Sequence, residues 1–266
     1  GVLLVKIFVL QHDCGHGSFF KSKNMNDILG RTLSVLTMTP YAQWAKEHNR
    51  HHATCGNLDG RGVGDVTTWT VNEYQDQSSW NQLCYRVYRN PFFLFTFGAF
   101  YHFTIKQRFA FYKPKRMSSW ISVMSTNLYI AFFIAVFVMW IGVVPFIKIY
   151  LPIIFVASSV GTWMFYVQHQ FEDVYWERNN GAWNYYEAAI KGSLFYDLPK
   201  FLHWMTGNIG YHHIHHLSGK VPNYNLVKCY NENLILQDAN KLTLWESRHC
   251  FSLALWDEDN KKMVRF

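Results

Sequence analysis

Two long stretches without Asp, Glu, Lys or Arg constrain this chain more than any other feature. Arg116 and Lys148 bracket 31 uncharged residues, and Lys148 and Glu172 bracket 23 more. A helix needs about 20 mainly apolar residues to cross a hydrocarbon core. In lipid, only structures that satisfy their own backbone hydrogen bonds persist. The runs therefore predict two spanning helices, at about 119–142 and 146–168, joined by a turn around Gly142 and Pro145. Composition agrees: 50% of the 266 residues are hydrophobic, 18% are aromatic and only 16% are charged, against about 25% charged in soluble domains. A disordered chain is excluded.

The formal net charge is +7. The basic residues form no long run, which argues against nucleic acid as a partner. In a membrane protein basic loops mark the cytoplasmic side. Lys113, Lys115 and Arg116 precede the first span, and the far side of the hairpin carries only Lys148. The 113–116 side is therefore expected to be cytoplasmic. Cys14, Cys55, Cys84, Cys229 and Cys250 are odd in number, scattered and without a CxxC pair. They read as free thiols in a reducing compartment.

There is no cleavable signal pattern. Residues 2–11 (VLLVKIFVLQ) read as the last turns of a helix whose start is absent, so the chain is expected to lack its true N-terminus. Residues 28–45 suggest an interfacial helix, and 56–65 (GNLDGRGVGD) a polar loop. Residues 91–105 suggest a membrane-surface or re-entrant segment. The expected fold is all-α: one multi-pass membrane domain over 1–266 with a cytoplasmic helical cap holding a histidine-ligated di-metal site. Its parts are 1–20, the end of a spanning helix; 21–118, cytoplasmic or interfacial; 119–168, the transmembrane hairpin; and 169–266, the cap.

Eight of the thirteen histidines stand in three clusters. His12 and His16 are spaced i, i+4. His48, His51 and His52 are spaced i, i+3, i+4, and His212, His215 and His216 repeat that pattern. On a helix each set projects from one face, and imidazole is the nitrogen ligand of iron, zinc and copper. The second span delivers His169 to the same side. The nine candidate ligands exceed the about four to six that one ion takes, which predicts two ions.

These clusters, HDCGH, HNRHH and HHIHH, resemble the three histidine boxes of the membrane fatty acid desaturases. The surrounding HDCGHGSFF, HNRHHATCGNLD, QHQFEDVYW and GNIGYHHIHHLSGKVPNYNL look like the acyl-lipid, mid-chain branch of that family, and the likeness covers nearly the whole chain. The family usually has four spanning helices, and this chain holds two plus the end of another. The resemblance implies a non-haem di-iron centre held by His12, His16, His48, His51, His52, His169, His212, His215 and His216. Some relatives place an Asn four residues before the isolated histidine. Here that position is Phe165, so the role is not carried over.

Other residues near the boxes carry weaker signals. Asp13, Glu47, Glu172 and Asp173 lie next to ligands, and a ligating imidazole usually donates its other N–H to a carboxylate or carbonyl. Asn208, four residues before His212, is a further candidate. His213 faces away from its neighbours, His102 reads as structural, His203 as structural or supporting, and His249 as surface. Lys6 is expected to snorkel to the interface or to be buried near the site.

Breaking an unactivated C–H bond demands an oxidant stronger than any side chain, and O₂ at two irons supplies one. An alkyl substrate offers no polar handle, so selectivity needs a shaped apolar tunnel. The chain has no GxGxxG fingerprint, no clustered cysteines and no HPGG haem motif, so electrons must come from a separate ferredoxin-like carrier or b-type cytochrome. The expected function is O₂-dependent insertion of a cis double bond into a lipid-linked acyl chain, in a bacterial inner membrane, with the site on the cytoplasmic side. The nearest rival is a di-iron hydroxylase or ketolase acting on an alkane, carotenoid or sterol. An intramembrane zinc protease is disfavoured because HExxH is absent. A zinc-binding transporter or receptor would place its ligands inside the spans.

Overall fold

The computed structural model describes residues 1–109, 117–178 and 181–266. The basic cluster Lys113, Lys115 and Arg116 lies outside the described residues. The first helices are α1 (Val2–His16), α2 (Lys23–Leu36) and α3 (Tyr41–Thr54). The single helix expected over 28–45 is thus two helices. Met38 adopts φ 53, and Pro40 has no N–H to continue the ladder, so it caps α3 instead. Tyr41 locks the corner, its hydroxyl donating to the Cys14 carbonyl at 2.8 Å.

The chain continues through β1 (Trp69–Thr70), α4 (Val71–Gln75), α5 (Ser79–Arg89) and α6 (Pro91–Phe93). A π-helical turn at Leu94–Gly98 leads into α7 (Ala99–Thr104), so 91–105 is helical throughout most of its length. The two apolar helices follow as α8 (Met117–Ile141) and α9 (Val143–His169), both long and apolar enough to cross a membrane. They leave Leu128, Phe132, Met139, Trp140 and Val144 exposed, which water would penalise and lipid would not. Gly142 alone makes the turn, at φ 85; Pro145 belongs to the first turn of α9, where its missing N–H costs nothing.

The remainder holds α10 (Tyr185–Lys191), β2 (Phe195–Asp197), α11 (Lys200–Met205), α12 (His212–Leu217), α13 (Asn223–Glu232), β3 (Lys241–Thr243), β4 (Leu255–Asp257) and β5 (Lys262–Val264). The fold is mostly helical but not all-α. β1 pairs parallel with β4, which pairs antiparallel with β5, and β2 pairs parallel with β3. Strands of two or three residues are too short to show a two-residue alternation in sequence. The main core joins Val5 and Val9 of α1 to Met164 and Val167 of α9, and to Leu194, Tyr196, Trp256 and Met263 beyond the hairpin. It fastens the C-terminal region across the ends of α1 and α9, where the histidines lie.

Candidate metal centre

Four helices carry the histidines. α1 presents His12 and His16, and stops one residue later because Gly17 takes the left-handed conformation, φ 64. α3 turns His48, His51 and His52 inward and leaves Asn49 and Arg50 exposed. α9 ends on His169, and the short α12 carries His212, His215 and His216. All nine converge.

They form two groups. His12, His16, His48, His52 and His215 make the first; His51, His169 and His216, with Cys55 beside them, make the second. His212 joins the second through its Nε2, 2.9 Å from that of His169. Nε2 of His52 lies 3.1 Å from that of His48 and 2.9 Å from that of His215, and the His51 and His169 Nε2 atoms are 3.3 Å apart.

These distances fit metal ions. Ligand nitrogens about 2.1 Å from an ion stand about 3.0 Å apart at an octahedral edge and about 3.4 Å apart at a tetrahedral one. A ring nitrogen carries one proton or one lone pair, so His52 Nε2 cannot serve two linear hydrogen bonds at once. His16 Nε2 and His216 Nε2 are buried without any hydrogen-bond partner among the described residues. A cation meeting converging lone pairs satisfies all of them. Burial, with neighbouring imidazoles adding to it, pushes the pKa of His48, His52, His212, His215 and His216 well below the ordinary imidazole range. These five rings are therefore held neutral at neutral pH, the form in which imidazole binds a metal.

The outward nitrogens decide which way each lone pair points. His12 Nδ1 meets the Asp13 carboxylate at 3.2 Å, and His169 Nδ1 meets the Gly192 carbonyl at 3.1 Å. His51 Nδ1 bonds the carboxylate of Asp65. A proton held on Nδ1 leaves the Nε2 lone pair directed inward. Asp13 also accepts from the backbone N and side-chain amide of Asn223, at 2.7 and 2.8 Å. It thereby ties α1 to the start of α13.

Of the five supporting candidates, the structure brings only Asp13 to a ligand. Glu47 accepts from Gln43, and burial raises its pKa. Glu172 and Asp173 are exposed, because the chain leaves helical geometry at Gln170 and carries them outward. Asn208 sits at φ 57 in a turn and donates to the Asn223 carbonyl at 3.3 Å. Asp65, which sequence reasoning missed, comes from the loop after α3. Its only signal is the glycine spacing at 60, 62 and 64, which lets the loop fold back; a Cβ on Gly64 would lie 3.0 Å from that of His51. Cys55 was also missed. Its thiol faces Nδ1 of His169 at 3.8 Å rather than Nε2, and without a metal burial pushes its pKa up.

The other histidines stand apart. His213 Nε2 bonds the Leu236 carbonyl at 3.0 Å, His203 Nε2 accepts from Leu198 N at 3.1 Å, His102 pairs with Gln107, and His249 is exposed. Lys6 lies over the Trp204 ring, 3.9 Å from its centroid. Phe165 packs on His51 and His169.

Residues 1–247 match the family profile described as fatty acid desaturase. A fatty acid desaturase of Bacillus subtilis is 47% identical over 263 residues, covering 99% of this chain and 74% of that protein. An sn-1 oleoyl-lipid 12-desaturase of Synechocystis is 27% identical over 228 residues, 85% of this chain and 64% of the relative. An sn-1 acyl-lipid omega-3 desaturase (ferredoxin) of Synechocystis is 27% identical over 236 residues, 85% and 63% respectively. The chain spans just under two thirds of these lipid desaturases. With a profile match over most of its length and a relative nearly half identical, the chain belongs to the fatty acid desaturase family.

Proposed function

We propose that this protein is an O₂-dependent desaturase that inserts a cis double bond into a lipid-linked acyl chain. One observation carries the reading: two groups of buried, inward-facing imidazole nitrogens in a chain of this family. His12, His16, His48, His52 and His215 would hold one iron, and His51, His169, His212 and His216 the other. Bound iron supplies the O₂-derived oxidant that an unactivated C–H bond requires.

The chain's own residues do the rest. Asp13, Asp65 and the Gly192 carbonyl fix the tautomers of His12, His51 and His169. Trp44 stacks on His48, with centroids 4.6 Å apart, and Phe165 covers His51 and His169. These rings exclude water, which protects a reactive site from side reactions. All-histidine ligation would leave both ions with their full cationic charge.

We place α8 and α9 across a bacterial inner membrane, with the metal groups at its cytoplasmic face. Support comes from the exposed apolar faces of both helices and from Lys113, Lys115 and Arg116 at one end of the hairpin. Lipid acyl chains are then the substrate at hand. The electron donor is a separate carrier, a ferredoxin or a b-type cytochrome; the ferredoxin named with one relative supports the former.

Expression of the gene in a host lacking the activity, followed by mass spectrometry of its fatty acids, tests the reading. New cis-unsaturated chains, made only in the presence of O₂, are expected. Hydroxylated chains without a new double bond would overturn desaturation, and tightly bound zinc without iron would overturn the di-iron assignment.

A further inference from the structure

Arg89, the last residue of α5, is 3% exposed, yet none of its five hydrogen-bond acceptors is a carboxylate. Nη1 donates to the Thr67 carbonyl at 3.1 Å and to Thr68 Oγ1 at 3.3 Å. Nη2 donates to Tyr166 Oη at 3.1 Å, Gln170 Oε1 at 2.8 Å and the Leu253 carbonyl at 2.9 Å. A buried cation without a counter-ion is a costly way to fill space, and an apolar side chain of similar volume packs as well or better. What a guanidinium adds is a rigid planar fork with fixed donor directions.

The fork reaches both sides of the second histidine group. Thr67 and Thr68 follow Asp65, whose carboxylate holds His51 Nδ1. Tyr166 lies on the last turns of α9, and Gln170 directly follows His169. Gln170 Oε1 also accepts from Thr68 Oγ1 at 3.2 Å, which joins the two arms. The gap that Arg89 bridges from behind is the one across which His51 and His169 face each other, with Nε2 atoms 3.3 Å apart. None of its five partners adjoins a histidine of the first group.

We propose that Arg89 is a positioning residue that sets the separation of His51 and His169 and so controls metal occupancy of the second group alone; this rests on the di-metal reading above. Thr68 and Gln170 are the two contacts through which it acts. Loss of a group that orients a ligand typically weakens metal binding by about 10–100-fold.

The test is anaerobic titration of the purified, metal-free protein with cobalt(II), whose visible absorption reports each ion as it enters its ligand field. The unaltered protein should take up two ions. Arg89→Met should keep one tight site and weaken the other about 10–100-fold. Gln170→Leu should behave in the same way, whereas Gln170→Glu, which still accepts from the guanidinium, should keep both sites. If Arg89→Met does not fold, the Gln170 pair decides. Two tight sites in Arg89→Met or Gln170→Leu, or parallel weakening of both sites, would overturn the proposal while leaving the di-metal reading standing. Fewer than two sites in the unaltered protein would overturn that reading and the proposal with it.

Discussion

The imidazoles of His52 and His216 stack with centroids 4.1 Å apart and planes 4° from parallel. One ring belongs to the first group and the other to the second, so the two groups share a wall. His52 Nε2 also touches those of His48 and His215. This side chain therefore faces one group with its Nε2 and packs against the other with its ring.

His52→Ala is expected to remove the first ion outright and to loosen the second by taking away the stacking surface of His216. Metal analysis should give less than one ion per chain, with no product lipid. His213→Ala, one residue from a ligand, should retain both ions, because His213 Nε2 is bonded to the Leu236 carbonyl and points elsewhere. Its cost is a lost buried hydrogen bond, about 1–3 kcal/mol of stability, read as a lower unfolding midpoint.

Asp65→Asn is expected to weaken metal binding by about 10–100-fold without unfolding the protein. The amide preserves the shape but not the charge that fixes the proton on His51 Nδ1. Competition with a chelator of known affinity would measure the change. Unaltered affinity would show that the carboxylate does not set the tautomer.

A Cβ at Gly219 would lie 2.7 Å from His16 Nδ1. Gly219→Ala must therefore push His16 off its position and should lower both metal content and turnover. At Gly161 the nearest atom to an added Cβ is Val5 Cγ2 at 4.0 Å, an ordinary contact. Gly161→Ala should leave metal content unchanged and stabilise α9 by up to about 1 kcal/mol.

Metal-free protein should lose stability as the medium is acidified. Burial pushes the pKa of His213 down to about 4, whereas the unfolded chain protonates this ring near 6.5. Between those values the unfolded state binds the extra proton, so stability falls as pH falls, by at most about 3 kcal/mol for this one group. His48, His52, His212, His215 and His216, whose pKa values burial also lowers, act in the same direction and steepen the loss. Denaturant midpoints at pH 7.5 and pH 5 should differ accordingly, and by less in His213→Gln.

Much of this architecture could be read from the chain before its structure. Absence of charge over 117–147 and 149–171 located α8 and α9 within a few residues of their ends, because lipid imposes a length and a composition together. The i, i+4 and i, i+3, i+4 spacings picked out eight of the nine converging histidines, because a helix converts that spacing into a face; His169, which has no such partner, followed from the end of the second span. What could not be read were contacts made by folding back. Asp65 reaches His51 from a loop, and Arg89 reaches His169 through Gln170; neither has a periodic signature. Adjacency in sequence misled in the opposite sense at Glu172 and Asp173, where the end of α9 turns the chain outward.

Each metal group draws on ends of the chain made at very different times. The first group needs His12 together with His215, and the second needs His51 together with His216. Neither group is complete until α12 has been made, so neither can form in a nascent chain that stops short of His212. The histidines of α1 and α3 stand without these partners throughout the synthesis of α8 and α9, and selective uptake of metal by either group has to wait for the last box.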